Sequence, residues 1–203
     1  MAEAINKIDW QPGTVNVDIG GGRFDKATDW LRERGVENLV FDPFNRDQEH
    51  NRQVAERVQS EKADTVTCTN VLNVIDNEQA RANVILQSAK ALKPGGTAYF
   101  SIYEGNKSGI GKATVKDSWQ NNRITETYID EIKKYFNDVR RILQGINRSM
   151  SKREIDAEVH LLNDELLICK YNNYAFKLIC VALDLQYFKI AKKSLFNTIF
   201  CGY

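Results

Sequence analysis

The stretch 15–25, VNVDIGGGRFD, sets three adjacent glycines directly after a short apolar run. Glycine accepts backbone conformations and close approaches that a Cβ forbids, so such a turn can pass bare backbone against a ligand. A strand, a glycine-rich turn and a helix in succession form the entry to a nucleotide-binding α/β fold. The flanking residues limit what that ligand is. A dinucleotide fingerprint needs Gly-x-Gly-x-x-Gly/Ala, and counting from Gly20 its third position is Asp25. A carboxylate there would repel a pyrophosphate at the helix N-terminus. Asp18 adds negative charge just before the turn, and the P-loop string Gly-x-x-x-x-Gly-Lys-Ser/Thr is absent. The turn therefore reads as a site for a ligand without phosphate, and a cationic or zwitterionic group suits it.

The elements that must position this turn alternate between β and α patterns. Thr14–Ile19 reads as a first strand. Asp25–Arg34 reads as a helix with Ala27, Trp30 and Leu31 on one face and Gly35 as its stop. Asn38–Phe41 is a second strand, halted by Asp42-Pro43. Gln48–Ser60 is a polar helix with Val54, Ala55 and Val58 inward, and Asp64–Thr69 is a third strand. Asn77–Leu92 is the clearest helix: Asn77 can cap it, Ala80, Val84, Leu86 and Ala91 populate its buried side, and Lys93-Pro94-Gly95-Gly96 ends it. Thr97–Tyr103 is a fourth strand, 104–123 a long polar loop, and Thr125–Phe136 an amphipathic helix. Short apolar strands alternating with helices predict an α/β, doubly wound, mostly parallel sheet. Beyond about Gly145 aromatic residues become dense. The division is thus 1–145 as a ligand-binding domain and 146–203 as an extension that completes the sheet or packs on it.

Composition narrows the class further. The chain has 203 residues, enough for one full core, and a net charge of +1, so it lacks the global basic field of a dedicated nucleic-acid binder. No apolar run suggests a membrane span or a leader. The four cysteines form no C-x-x-C pair and stand near no His cluster, which predicts no metal site and a reduced, cytoplasmic compartment. His50 and His160 are isolated and read as structural. Oligomeric state is left open.

The motifs together resemble those of class I S-adenosylmethionine-dependent methyltransferases. VDIGGG is similar to that family's first motif. LVFDPF places Asp42 at the end of the second strand, ADTVTCTNVLNVI resembles the fourth-strand motif, and AKALKPGGTAYFSIYEG the helix–Pro-Gly-Gly–strand segment. The likeness covers residues 14–140, and DPFN, NVLNVI and PGG in series resemble phage and prophage members. Two departures stand out. Phe24 replaces the third glycine found in many members. The span between Pro43 and Asp64 is too short for the family's usual third strand and its helix, so the sheet should be shortened there.

The resemblance implies S-adenosylmethionine, a sulfonium cation without phosphate, as cofactor, and roles for particular residues. Gly20, Gly21 and Gly22 would pass beneath its methionine part. Asp18 would face its ammonium or stabilise the loop internally. Asp42, followed by Pro43, would accept the ribose hydroxyls or cap a helix, and Phe44 would cover the adenine or pack in the core. Asn70 and Asn73 lie at the carboxyl ends of the strands, where open α/β sheets bind ligands. Their amides can orient an acceptor but cannot act as a base, and Asn73 could instead cap the following helix. Glu104 is the titratable group at that edge able to take a proton, beside Tyr103. Lys107, Lys112, Lys116, Trp119, Gln120 and Arg123 suit an anionic or nucleic-acid acceptor, or a solvated surface loop. Asn70-Val71-Leu72-Asn73 departs from the Asp/Asn-Pro-Pro-aromatic string of amino-methylating nucleic-acid enzymes, and no Cys follows a Pro as in the cytosine-C5 class.

The expected function is methyl transfer to a nucleic acid or small molecule. The alternatives are a non-catalytic S-adenosylmethionine-binding protein and a nicotinamide oxidoreductase, which Asp25 disfavours. Because the cofactor motifs end before residue 145, a chain cut near Ser151 is expected to keep cofactor affinity within about tenfold.

Overall fold

The apolar runs of the sequence become the centre of a single sheet. In the computed structural model, which describes residues 3–114, 118–142 and 164–170, β1 (Val15–Ile19) is buried at all five positions. It pairs in parallel with β2 (Glu37–Phe41) on one side and β3 (Ala63–Thr69) on the other. Strand β4 (Leu92–Tyr103) continues the parallel set beside β3. Helices α1 (Lys26–Arg32), α2 (Gln48–Ser60) and α3 (Glu78–Ala91) connect these strands. The sheet order is β2-β1-β3-β4-β8-β7, with β7 at Asp138–Ile142 and β8 at Asp164–Lys170. β8 runs antiparallel to both neighbours, so the sheet is mostly parallel, as expected. β2 is an edge strand, and the connection from β2 to β3 holds only α2, in agreement with the shortening read from the sequence.

Helix ends follow the local chemistry. Asp47 caps α2 by accepting from His50 N, and Asn77 caps α3 by accepting from Ala80 N. Gly35, at φ +73°, closes the turn after α1. Val54, Ala55 and Val58 of α2 face inward as expected. On α3 Val84 and Ala91 are buried as expected, joined by Ile85, Ser88 and Ala89, while Ala80 and Leu86 are only half-buried. The main core joins Val17, Val66, Phe100 and Ile102 of the sheet to Ile85 of α3 and to Tyr128 and Ile132 of α4 (Glu126–Lys133). A 3-10 turn at Glu3–Lys7 sets Ile5 against Leu31 and Val36.

Two features differ from the sequence reading. The Lys93-Pro94-Gly95-Gly96 segment belongs to β4 itself, with a register shift opposite Ala63 and Thr65. The 104–123 loop contains a small hairpin, β5 (Lys112–Ala113) with β6 (Trp119–Gln120). Strand β8, which lies past residue 146, sits in the sheet interior between β4 and β7. His50 Nε2 lies 2.8 Å from Val40 O at the β2 edge, a structural contact. His160 and Lys116 lie outside the described residues. Among the described residues no helix is long and apolar enough to cross a membrane.

Candidate functional site

The carboxyl ends of β1, β2 and β3 open into a cavity of about 660 Å3. Each glycine of the turn answers to a different neighbour. Gly20 has φ +73° and donates its N–H to Phe41 O at 2.8 Å, and a Cβ on it would collide with Val71 Cγ2. Gly21 is fixed by space: its Cβ would lie 2.5 Å from Asp18 Oδ2. Gly22 donates to Asp42 Oδ2 at 2.9 Å. Gly20 lines the cavity.

Asp18 lies beneath the turn. It is 4% exposed, accepts from Thr67 Oγ1 at 2.8 Å, and is not among the cavity-lining residues. Burial, with a further push from the Asp42 charge, raises its pKa to about 6 against the lowering effect of Thr67 and Arg46. Of its two expected roles, this geometry is that of an internal brace. Thr67 also accepts from Asn16 Nδ2, and Asn16 from Thr65, so the brace is part of a buried polar ladder across β1 and β3.

Asp42 does line the cavity. Its Oδ1 accepts from Phe44 N and Asn45 N, and its Oδ2 from Gly22 N and Asn45 Nδ2, at 2.9 to 3.0 Å. Four donors fill the acceptor capacity of a carboxylate. An incoming hydroxyl would have to displace one of these donors, and the side chain of exposed Asn45 would leave at least cost. Asn51, a residue the sequence reading passed over, holds the strand end by accepting from Asp42 N and donating to Asp42 O. Arg46 was also missed. It spans the site, donating to Gly22 O at 2.8 Å and to Asp25 Oδ1 at 2.6 Å. Asp25 is thus a countered charge, and the argument against phosphate rests on Asp18 and Asp42 instead. Phe44 is 84% exposed over the cavity, so the core-packing alternative for it fails. Pro43 and Asn45 line the same rim.

Asn70 closes the β3 ladder by donating its N–H to Ser101 O, turns at φ 56°, and lies on the cavity wall. Asn is one of the few residues that adopts this left-handed conformation readily. Asn73, Gln120, Tyr103 and Glu104 do not line the cavity. Asn73 Nδ2 donates to Gln120 Oε1, and Gln120 Nε2 donates to Tyr103 O, which braces the hairpin against the 3-10 turn Leu72–Val74. Glu104 is 2% exposed and accepts from Thr125 N at 2.6 Å while pairing with Lys107 Nζ at 3.0 Å. Burial pushes its carboxyl up, but the Thr125 N–H and Lys107 outweigh burial and hold it below the usual range. A carboxylate so engaged anchors a loop and is poorly placed to act as the base expected of it. Trp119, by contrast, lines the cavity.

Residues 8–154 match the family described as "Methyltransferase domain". The chain belongs to that family. It is an S-adenosylmethionine-dependent methyltransferase. No curated protein matches its sequence. Solved structures match its fold. A Burkholderia thailandensis 1,6-didemethyltoxoflavin-N1-methyltransferase, with 1,6-didemethyltoxoflavin and S-adenosylhomocysteine bound, is similar at TM-score 0.54 and 16% identity, over 80% of this chain and 72% of that one. A Haloferax volcanii methyltransferase complex with the Trm112 methyltransferase activator gives 0.51 and 13%, over 84% and 88%. An S-adenosylmethionine-dependent methyltransferase from Listeria monocytogenes gives 0.51 and 12%, over 83% and 96%. The finer likeness to phage and prophage members has no counterpart among these matches.

In this methyltransferase the cavity has a lining of mixed character. It joins a glycine turn, an acidic strand end and an exposed aromatic ring, and none of its described lining residues is Lys, Arg or His. The cavity also extends past Asn70 to Val71, Val74, Ile75, Asp76, Ala113, Ser118 and Trp119. Of these, only Trp119 and Asn70 were singled out from the sequence. The others lie in a post-strand turn and a hairpin whose meeting has no local signature.

Proposed function

We propose that the methyltransferase holds S-adenosylmethionine between Gly20, Asp42 and Phe44 and delivers its methyl group to a small molecule bound beyond Asn70. The observation that carries this reading is one continuous cavity running from Gly20 and Asp42 to Ser118 and Trp119. Its volume of about 660 Å3 falls in the range of roughly 300–1,000 Å3 usual for small-molecule sites. The donor, when bound, supplies a methyl group on a sulfonium that is already a good leaving group. The chain's task is then to align the acceptor and exclude water, which needs no acid–base pair. Asn70 is placed to orient the acceptor, with Gly20 and Asp42 fixing the donor side. Glu104 and Asn73 support this wall from behind.

Calorimetric titration with S-adenosylhomocysteine tests the donor half. Wild type should bind it, and Asp42→Ala should weaken binding by about 1–3 kcal/mol through lost charged hydrogen bonds. Binding unaffected by Asp42→Ala would remove Asp42 from the donor site.

A further inference from the structure

Beyond Asn70 the cavity is lined by a fixed aromatic residue, Trp119, and by an acidic one, Asp76, and neither is accounted for by the donor. Trp119 is locked. Its Nε1 donates to Asn121 Oδ1 at 2.8 Å, and its ring lies so close to Gly111 that a Cβ there would collide with Cζ2. Asn121 is itself held, because its Nδ2 donates to Leu72 O and Ile75 O, with Tyr128 OH 3.2 Å away. Asp76 follows this anchored turn. Its carbonyl, with that of Ile75, accepts from Arg81 Nη1 at 3.0 Å, while the rest of the Arg81 guanidinium grips Glu131. Asp76 and Trp119 are thus both tied to the Asn121–Arg81 framework and face one cavity.

The charge of this cavity is one-sided. Asp42 and Asp76 are its ionisable groups among the described lining residues. Among the described cations, Arg46 is held by Gly22 O and Asp25, and Arg81 and Arg123 by Glu131, while Lys112 neighbours the lining residue Ala113 without itself lining the cavity. A phosphate-bearing or nucleic-acid acceptor requires basic groups on the wall that receives it. An aromatic face beside a carboxylate instead favours a flat ring carrying a positive or hydrogen-donating nitrogen. We infer that the acceptor is a small amine carrying an aromatic ring, the ring against Trp119 and the amino group facing Asp76. This rests on the methyltransferase reading of the same cavity and names its substrate class. Val71, Val74 and Ile75 supply the apolar floor, and a rigid wall loses little entropy on binding.

Calorimetry on the full chain, first saturated with S-adenosylhomocysteine, tests the inference with matched probes. Tryptamine is compared with indole-3-acetate, 2-phenylethylamine with phenylacetate, and all four with a short single-stranded oligonucleotide. Each amine should bind at least tenfold more tightly than its matched acid, and the oligonucleotide more weakly than either amine. Asp76→Asn should bring the amine-to-acid ratio near one, Trp119→Ala should weaken both amines about tenfold, and Trp119→Phe should retain them. All three variants should keep wild-type affinity for S-adenosylhomocysteine. Acids or oligonucleotide binding as tightly as the amines overturns the inference, as do amines that fail to bind or a preference that survives Asp76→Asn. Failure of the wild type to bind S-adenosylhomocysteine would instead sink the donor assignment on which the inference rests.

Discussion

Asp18 is the residue whose environment makes the sharpest prediction. It supports Gly21 from below, its oxygen occupying the space a Cβ would need. Burial and the Asp42 charge raise its pKa from 3.8 to about 6. The folded chain therefore keeps a proton between those values that the unfolded chain has released. Stability linked to that proton is present below the unfolded value, falls as pH rises through the window, and levels off above about 6. Asp18→Asn keeps an oxygen acceptor for Thr67 and removes the titration. Relative to wild type, the variant should gain stability from pH 4 to 7 by up to about 3 kcal/mol. Denaturant unfolding of both proteins across that range checks this, and parallel pH profiles would show that Asp18 is hydrated in solution.

At the scale of elements, the acceptor wall depends on contacts that cross the fold. Arg81 of α3 is 4% exposed; its Nε and Nη2 bind the two Glu131 oxygens of α4 at 2.7 and 3.0 Å, while Nη1 holds the turn before its own helix. Arg123 reaches the same carboxylate and stacks over Tyr128 at 4.4 Å. Removing one partner of a buried pair costs about 3–5 kcal/mol when the other charge is stranded, and less here because Arg123 still pairs with Glu131. Arg81→Met should lower the denaturant midpoint accordingly. Arg81→Lys should recover only part of the loss, because an ammonium cannot reproduce the planar fork. Full recovery by lysine would mean that only charge matters at this position. The hairpin β5–β6 is held differently, by Asn73, Gln120 and Asn121, all of them buried amides.

For the whole molecule, the decisive element is β8. It pairs with seven residues of β4, from Thr97 to Tyr103, and with five of β7, from Asp138 to Ile142. The position of the cofactor motifs alone argues that a cut near Ser151 is harmless. The sheet argues otherwise, because a chain ending there lacks the strand that joins β4 to β7. Two open edges would then face solvent, and such edges template aggregation. We expect the truncated chain to be insoluble, or soluble without cooperative unfolding. Gel filtration and thermal denaturation decide; a monomeric truncation that binds S-adenosylhomocysteine like the full chain would mean that the four parallel strands fold alone.

The sequence by itself determined what local pattern can encode. Apolar runs marked β1 to β4. Gly20–Gly22 marked the turn, Asp42 the end of β2, and Asn77 the start of α3, because strand burial, positive φ and capping depend on residues a few positions apart. Charge near the turn was visible too, but not that Arg46 counters Asp25. Only the tertiary structure decided which polar residues face the cavity and which brace it. Asn73 and Gln120 meet across 47 positions, and Arg81 and Glu131 across 50. Contacts at such separations leave no periodicity to read. The same residue types could have served either purpose: Asn70 lies on the cavity wall and Asn73, three positions on, is buried behind it. Asn73 sits in the tight 3-10 turn Leu72–Val74 and its amide meets Gln120 of the hairpin, a contact made far along the chain.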